Sequence, residues 1–249
     1  LAAPMGGNMV VSAAEMALTL QQKHTTAPDW VVMELSSYQI EAADRIRPRI
    51  GIWTTLTPDH LERHGTVEAY RAIKRGLLER SDHAIFNADD PDLRQQRQSW
   101  TGGTWVSAES AQPDGQPADL WINGEGWVCN RSQPLFPAEA LAMPGAHNRQ
   151  NLLLATAAAL QIGLSPASIE AGLRSFPGVP HRLEPVGRIG NAQVFNDSKA
   201  TNYDAAAVGL KAMQGPVVVL AGGSTKQGDA TGWLKELNRK ACAVVLPYF

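Results

Sequence analysis

Short apolar runs alternate with amphipathic stretches along most of the chain, and this alternation constrains the fold more than any other feature. Strand-like runs lie at 30–33, 50–53 and 84–86, and helical patterns lie at 67–80 and 147–162. Because a strand followed by a helix usually returns to a parallel neighbour, the alternation predicts an α/β fold. We therefore expect a mostly parallel central sheet with helices on its faces.

The stretch 104–130 departs from this pattern. Three short β-type runs lie in it, at 104–106, 120–122 and 127–129. Asn123-Gly124 separates the last two, and Asn-Gly favours the left-handed backbone of a tight hairpin. We predict a small antiparallel excursion on the α/β body, with the hairpin turn at these two residues.

A second βα-type pattern begins beyond the segment 176–180, whose two prolines and glycine cannot continue a helix. Strand-like runs follow at 193–195, 217–220 and 243–246. We place a domain boundary near Gly178, which gives domains 1–178 and 179–249.

Composition excludes several classes of protein. The chain has 249 residues, 44% of them hydrophobic and 18% charged, which is enough apolar material for packed cores and unlike a disordered chain. With 22 Lys+Arg against 24 Asp+Glu the net charge is −2, which argues against nucleic acid as a partner. The longest uncharged stretch, 152–169, is interrupted by Gly163 and Pro166, so no transmembrane segment is predicted.

Cysteine usage and the first residues indicate a compartment. Cys129 and Cys242 lie far apart without metal-type spacing, which is typical of buried or free thiols in a reducing environment. The start of the chain lacks the basic residues of a secretory signal. We expect a cytoplasmic protein.

Glu34 directly follows the first strand-like run, whose apolar residues predict a buried strand. That position is the carboxyl edge of the sheet, where open α/β folds bind ligands. The alternative is a surface carboxylate beside a helix cap formed by Ser36 or Ser37.

His60 follows the second strand-like run. Thr57 as N-cap and Pro58 at the first helical position would place His60 in the first turn of a helix. Backbone N–H groups there favour anions, and a neutral imidazole can bind a metal. Helix capping alone would explain Asp59.

Lys74 falls in the middle of an apolar helix face formed by Tyr70, Ile73, Leu77 and Leu78. A lysine there is costly unless it extends to solvent or has a charged partner. The two interpretations are a lysine that reaches past the apolar stripe, and a modified or metal-linked lysine beside Glu34 and His60.

Three further polar segments are candidates for ligand binding. Asn148 and Asn151 share one side at the start of a helix, where their amides suit a base or ribose, although Asn148 could be an N-cap. His181-Arg182 lies at the predicted domain boundary, where clefts form. The segment 196–202 follows a strand and is dense in polar side chains, which favours a ligand site over a plain loop.

Together these residues resemble the Mur ligase family, and within it the members that add D-glutamate. The resembling segments occur in family order over almost the whole chain: Gly7-Asn8, ELSSYQ from Glu34, TPDHLERH from Thr57, YRAIK ending at Lys74, NADDP from Asn87, GAHNRQN from Gly145, PHRLE from Pro180, NDSKATN from Asn196 and GGSTK from Gly222. NDSKATN is the most discriminating, because related ligases for other peptide positions differ there.

The resemblance implies a ligase of peptidoglycan synthesis that uses ATP and Mg²⁺. It would join D-glutamate to UDP-N-acetylmuramoyl-L-alanine through an acyl phosphate. The partners would be these small molecules, and the complete enzyme would be a monomer. The implied fold is a Mur ligase central domain followed by a Rossmann-like C-terminal domain.

The resemblance also implies roles for single residues. Glu34 and His60 would bind magnesium, and Lys74 would be carbamylated, which converts a cation into an anion that supports the metal. The implied catalytic residues are Lys74, His60 and Lys199. The implied substrate and nucleotide contacts are Asn8, Ser36 and Gln39 for the muramoyl-alanine, Asn148, Asn151, Arg182 and Asp197 for ATP, and Lys199, Thr201 and Lys226 for D-glutamate.

Two departures limit the resemblance. The chain has no G-x-x-x-x-G-K-[ST] phosphate loop, and the family's glycine two residues after the Asn8 position is Val10. We therefore expect an incomplete chain that does not ligate alone, with the phosphate loop missing and the C-terminal domain truncated. The alternatives are another Mur-type or folylpolyglutamate-type amide ligase, and a non-catalytic binding or scaffold protein descended from a ligase.

Overall fold

The computed structural model describes residues 2–8, 11–22, 27–57, 60–223 and 229–246. The strands are β1 Met5–Gly7, β2 Val32–Glu34, β3 Ile50–Trp53, β4 His83–Asn87, β5 Thr104–Ser107, β6 Leu120–Ile122, β7 Trp127–Asn130, β8 Gln133–Pro137, β9 Glu184–Ile189, β10 Ala192–Asn196, β11 Val217–Leu220 and β12 Ala241–Val245. The helices are α1 Ala13–Gln22, α2 Ser37–Ala42, α3 Leu61–His64, α4 Val67–Glu79, α5 Pro91–Gln95, α6 Ala146–Gln161, α7 Pro166–Ser175, α8 Tyr203–Ala212 and α9 Thr231–Lys240. The fold is α/β, as the alternation predicted.

The chain divides into two compact units. The first unit contains residues 1–85 and 96–103, and the second contains 86–95 and 104–249. The boundary near Gly178 rests on the prolines and glycine of 176–180 and on the βα-type pattern beyond them, and it stays a prediction. Between the end of α7 and the start of β9 the chain is neither helix nor strand, as its prolines and glycine predict.

In the first unit, β1 and β2 form a parallel pair in which Gly7 lies opposite Glu34. Gly7 has φ of 122°, and a Cβ there would collide with the carbonyl oxygen of Glu34, so this position requires glycine. Helix α4 begins after Thr66, whose hydroxyl accepts a hydrogen bond from a first-turn N–H (3.1 Å). It packs against α2 and β3 and buries Tyr70 and Leu78.

The largest sheet has the strand order β3-β4-β5-β6-β7-β8. Within the second unit, β5 and β6 are parallel, whereas β6–β7 and β7–β8 are antiparallel. The sheet is therefore mixed, and the predicted antiparallel excursion is confirmed. Helix α6 packs on β5 and β6, and the rings of Phe86 and Trp105 stack with centroids 4.5 Å apart.

The turn between β6 and β7 differs from the prediction. The left-handed residue is Gly126, with φ of 81°, and neither Asn123 nor Gly124 has positive φ. The Oδ1 atom of Asn123 accepts hydrogen bonds from the N–H groups of Glu125 (3.0 Å) and Trp127 (2.9 Å). These bonds close a longer loop in place of the two-residue turn, because an asparagine side chain competes for backbone donors.

The C-terminal part of the second unit contains two further strand pairs. Strands β9 and β10 are antiparallel, and β11 and β12 are parallel. Helices α8 and α9 pack together, with the rings of Tyr203 and Trp233 stacked 5.8 Å apart. Among the described residues, no helix has the length and apolar composition to cross a bilayer.

Candidate active site

Glu34 is the last residue of β2, at the carboxyl end of the parallel β1–β2 pair. Its carbonyl accepts a hydrogen bond from the N–H of Asn8 (2.8 Å), so these two predicted site residues are neighbours. The expectation of a buried strand before Glu34 is wrong, since Val32 is 50% exposed. The reason is that β2, within the described ranges, pairs only with β1.

Ser36 and Gln39 form a capping box at the start of α2. The hydroxyl of Ser36 accepts a hydrogen bond from the N–H of Gln39 (3.3 Å), and Oε1 of Gln39 accepts one from the N–H of Ser36 (2.9 Å). The alternative of a helix cap at Ser36 is thereby confirmed. The box also fixes both side chains beside Glu34, where a substrate contact is predicted.

His60 is the N-cap of α3 and has left-handed backbone, with φ of 54° and ψ of 33°. The prediction that it lies inside the first turn, with Thr57 as N-cap, is wrong, because a left-handed residue does not continue a right-handed helix. Its Nδ1 atom lies 3.6 Å from Oε1 of Glu62. Pro58 and Asp59 lie outside the described residues.

A line of four side chains, which we call the aromatic row, connects α2, α3 and α4. It consists of Tyr38, His64, Tyr70 and Lys74. Ring centroids are 5.5 Å apart for Tyr38–His64 and for His64–Tyr70, and the Nζ atom of Lys74 lies 5.0 Å from the Tyr70 centroid. The Oγ atom of Ser37 lies 3.0 Å from Nε2 of His64. A cation over a ring face is attracted to it, which explains how a half-buried lysine is held on this stripe.

The aromatic row also reaches His60. The ring of Tyr38 meets that of His60 edge to face, with centroids 5.2 Å apart. Arg63 lies over Tyr38 (5.7 Å) and forms an ion pair with Glu41 (2.8 Å); the hydrogen bond to Glu41 raises the pKa of Arg63. Sequence reasoning did not single out Tyr38 and His64, although both lie inside resembling segments, because a ring contact between helices leaves no periodic signal.

In the second unit, Asn148 lies inside the first turn of α6, whose N-cap is Gly145. The N-cap interpretation of Asn148 is therefore wrong. Its side chain is buried: Nδ2 donates to the carbonyl of Pro144 (2.6 Å), and Oδ1 accepts from Nδ2 of Asn151 (3.5 Å). The pair shares one side of the helix, as predicted, with Asn151 exposed.

His147, Arg182 and Asp197 form a charged group next to that helix start. Burial lowers the pKa of His147, and the positive charge of Arg182 lowers it further, while Asp197 partly opposes this. The Oδ1 atom of Asp197 accepts a hydrogen bond from the N–H of Leu183 (3.0 Å). A Cβ on Gly209 would collide with Oδ2 of Asp197, so helix α8 fits closely against this carboxylate.

The remaining predicted residues lie after β10 and β11. The N–H of Lys199 donates to the carbonyl of His181 (3.0 Å), and the N–H of Thr201 donates to that of Lys199 (3.0 Å). The bond from Lys199 to His181 joins the NDSKATN segment to the segment that carries Arg182. Gly222 and Gly223 are exposed after β11, and Lys226 lies outside the described residues.

Comparison with known proteins decides the family. A sequence profile described as the Mur ligase middle domain matches residues 6–159. The chain belongs to the Mur ligase family. The chain is 95% identical over 246 residues to the UDP-N-acetylmuramoylalanine–D-glutamate ligase of Parasynechococcus marenigrum (strain WH8102). This match covers 99% of the chain and 53% of that protein. The identity to the ligase of the same name from Synechococcus sp. (strain CC9605) is 71%, with the same coverage. The chain thus spans about half the length of these curated relatives.

Solved structures of Mur ligases share the fold. A UDP-N-acetylmuramoyl-L-alanyl-D-glutamate–2,6-diaminopimelate ligase matches with a TM-score of 0.68 at 19% identity, over 98% of this chain and 56% of its own. The MurF ligase from Thermotoga maritima, solved with ADP, matches with a TM-score of 0.67 at 17% identity, over 98% of this chain and 64% of its own. At such identities the match concerns the fold alone.

The donor set of this Mur ligase chain can be compared with the needs of magnesium. Among the described residues, no three His, Cys, Asp or Glu side chains are grouped to hold a metal. Mg²⁺ commonly keeps several waters and takes one or two carboxylates together with substrate phosphates. The exposed carboxylate of Glu34 at the end of β2 fits that mode, whereas the described residues do not form an all-protein cage.

Proposed function

We propose that this chain is part of an ATP-dependent ligase that joins D-glutamate to UDP-N-acetylmuramoyl-L-alanine. The observation that carries the proposal is the 95% identity over 246 residues to a ligase of that name. Because the chain spans about half of that relative, the activity belongs to the longer protein. We also propose a cytoplasmic location, since ATP and the UDP-linked substrate are cytoplasmic metabolites. The proposal that the longer protein is a monomer rests on the family resemblance alone.

The first unit would bind the metal and the muramoyl-alanine. Glu34 and His60 would hold Mg²⁺, and carbamylated Lys74 would support it. When bound, the metal supplies positive charge for phosphate oxygens. Asn8, Ser36 and Gln39 would bind the alanyl end of the substrate, and the hydrogen bond between Asn8 and Glu34 supports this grouping.

The second unit would bind the nucleotide and the amino acid. Asn148 and Asn151 offer amides for the base, and Arg182 and Asp197 would contact the ribose and phosphates. Lys199, Thr201 and Lys226 would receive D-glutamate, with the ammonium of Lys199 facing its carboxylates. The pairing of Asn148 with Asn151, and the lowering of the His147 pKa by the charge of Arg182, support this division.

The proposed reaction has two steps. A carboxylate oxygen of the L-alanyl group attacks the γ-phosphorus of ATP, and ADP leaves, which yields an acyl phosphate. The amine of D-glutamate then attacks the acyl carbon, loses a proton, and expels inorganic phosphate from a tetrahedral intermediate. Fixed cations such as Arg182 and Lys199 would hold anions that otherwise repel one another.

A substrate panel on the longer protein tests this proposal. We expect phosphate release that requires ATP, Mg²⁺, the UDP-linked substrate and D-glutamate together. L-alanine, glycine and diaminopimelate in place of D-glutamate serve as matched controls, because other amide ligases of this fold accept other amino acids. Turnover with one of these and none with D-glutamate would overturn the assignment. Absence of turnover with every amino acid would favour a non-catalytic descendant.

A further inference from the structure

Two left-handed residues flank Arg182 in the segment that precedes β9. His181 has φ of 63° and Leu183 has φ of 45°. Neither is glycine, and a bulky leucine at positive φ is rare. Such backbone persists only where surrounding groups over-determine it, and it concentrates at functional sites.

Two side chains at the end of the β9–β10 ribbon hold His181. Glu184 and Asn196 lie opposite each other in the strand register. The Oε2 atom of Glu184 accepts a hydrogen bond from the N–H of His181 (2.7 Å). The Nδ2 atom of Asn196 lies 2.8 Å from Nδ1 of His181 and 3.5 Å from Oε2 of Glu184. The pair therefore fixes both the backbone and the ring of His181.

Every backbone amide of this three-residue segment is hydrogen-bonded. Besides the bond to Glu184, the N–H of Arg182 donates to the carbonyl of Val179 (3.2 Å). The N–H of Leu183 donates to Oδ1 of Asp197 (3.0 Å), and its side chain is buried. The backbone thus fixes where the side chain of Arg182 begins.

The side chain of Arg182 is exposed, and within the described ranges it forms no ion pair. Its charge nevertheless acts on His147 at the start of α6. An exposed guanidinium that forms no ion pair within the described ranges is suited to bind an anion.

We propose that Glu184 and Asn196 are positioning residues that keep His181 left-handed and thereby present Arg182 to an anionic phosphate group of a nucleotide. The hydrogen bonds of residues 181–183 fix the backbone from which the side chain of Arg182 extends. The identity of the anion rests on the proposed function.

The imidazole of His147 reports the position of Arg182. NMR titration of His147 in this chain should show a pKa below the ordinary 6.5, and Arg182→Ala should raise it. We expect Glu184→Ala and Asn196→Ala to raise it in the same direction, since Arg182 is no longer held nearby. Glu184→Gln keeps an acceptor for the N–H of His181, so the pKa of His147 in this variant should stay close to that of the wild type.

The direction in which the pKa of His147 changes distinguishes displacement of Arg182 from the simple loss of a negative charge. Removing a carboxylate alone lowers the pKa of a nearby histidine, whereas displacing Arg182 raises it. Glu170→Ala is the matched control, because Glu170 forms an exposed ion pair with Arg174 in α7. Asn196→Ala changes no charge and carries the test if Glu184→Ala loses its cooperative thermal transition. A pKa of His147 that is unchanged or lower in the folded variants overturns the proposal.

Kinetics of the longer protein separate this proposal from the proposed function. Glu184→Ala should raise KM for ATP by about tenfold with little change in kcat, because a binding contact present throughout the reaction is lost. If the pKa of His147 shifts while KM for ATP does not, Arg182 is positioned as proposed and its assignment to the nucleotide is wrong.

Discussion

Lys74 and His147 are titratable residues of the candidate sites, and each has a neighbour that bears on its chemistry. The ammonium of Lys74 lies over the ring of Tyr70, one turn earlier in α4, where a cation is attracted to the ring face. Carbamylation requires the neutral amine, so it competes with this contact. His147 is the opposite case, because burial and the charge of Arg182 both favour its neutral form.

The carbamate at Lys74 can be observed directly. In ¹³C-bicarbonate solution we expect one carbamate carbon resonance that disappears in Lys74→Arg, because a guanidinium does not react with carbon dioxide. Lys235→Arg, at an exposed position of α9, is the control and should leave the resonance unchanged. A spectrum identical for wild-type protein and Lys74→Arg contradicts the assignment.

The charge of His147 should make stability depend on pH. Its pKa is lowered in the folded chain, so as pH falls through 6.5 the unfolded chain binds the proton first. The free energy of unfolding then decreases until the folded state is protonated too. We expect the stability advantage of the wild type over His147→Gln to shrink between about pH 7.5 and 5.5. Urea unfolding at both values measures it, and a constant difference is the contrary result.

At the scale of secondary structure, elements with strong local signals were predictable. The apolar runs at β3, β4 and β11 and the long patterns of α4 and α6 match the structure closely. The turn after β6 was not predictable, because the side chain of Asn123 redirects the backbone donors. The start of α3 was also predicted wrongly, because the sequence TPDH does not indicate that His60 has left-handed backbone.

Two glycines should respond in opposite directions to alanine. Gly145, the N-cap of α6, has φ of 104°, and a Cβ there would lie 2.7 Å from Cε1 of His147. Gly172 lies within α7, and a Cβ there would meet nothing within 4 Å. We expect Gly145→Ala to lower the free energy of unfolding by about 1 kcal/mol or more, and Gly172→Ala to raise it by about 0.5–1 kcal/mol. Urea unfolding of both variants checks this, and a stabilising Gly145→Ala would be inconsistent with the structure.

At the scale of the whole chain, the order of the motifs predicted the family, and the alternation of strand and helix patterns predicted the fold class. The contacts that assemble the candidate sites did not, because they join residues distant in sequence. The aromatic row links residues from 38 to 74, and Asp197 meets Leu183 only through the β9–β10 ribbon. The first and second units each hold part of the predicted set, which the motif order alone did not reveal.

The β11–β12 pair leaves apolar side chains in solvent. Val218 is 58% exposed and Leu220 is 77% exposed. Exposed apolar strands invite association between chains, so we expect this chain to self-associate as its concentration increases. Leu220→Lys should lower light scattering, whereas Leu18→Lys in α1, at a site 55% exposed, should do so less. Equal effects of both substitutions would show that net charge, and not this face, governs association.

The close fit of α8 against Asp197 has a consequence for reading related genomes. Since a Cβ on Gly209 would collide with Oδ2 of Asp197, a side chain at the first position constrains the acid at the second. A homologue that gains any side chain at the Gly209 position must shorten or move the acid at the Asp197 position. Comparing the residues at these two positions therefore distinguishes homologues that can keep this carboxylate in place from those that cannot.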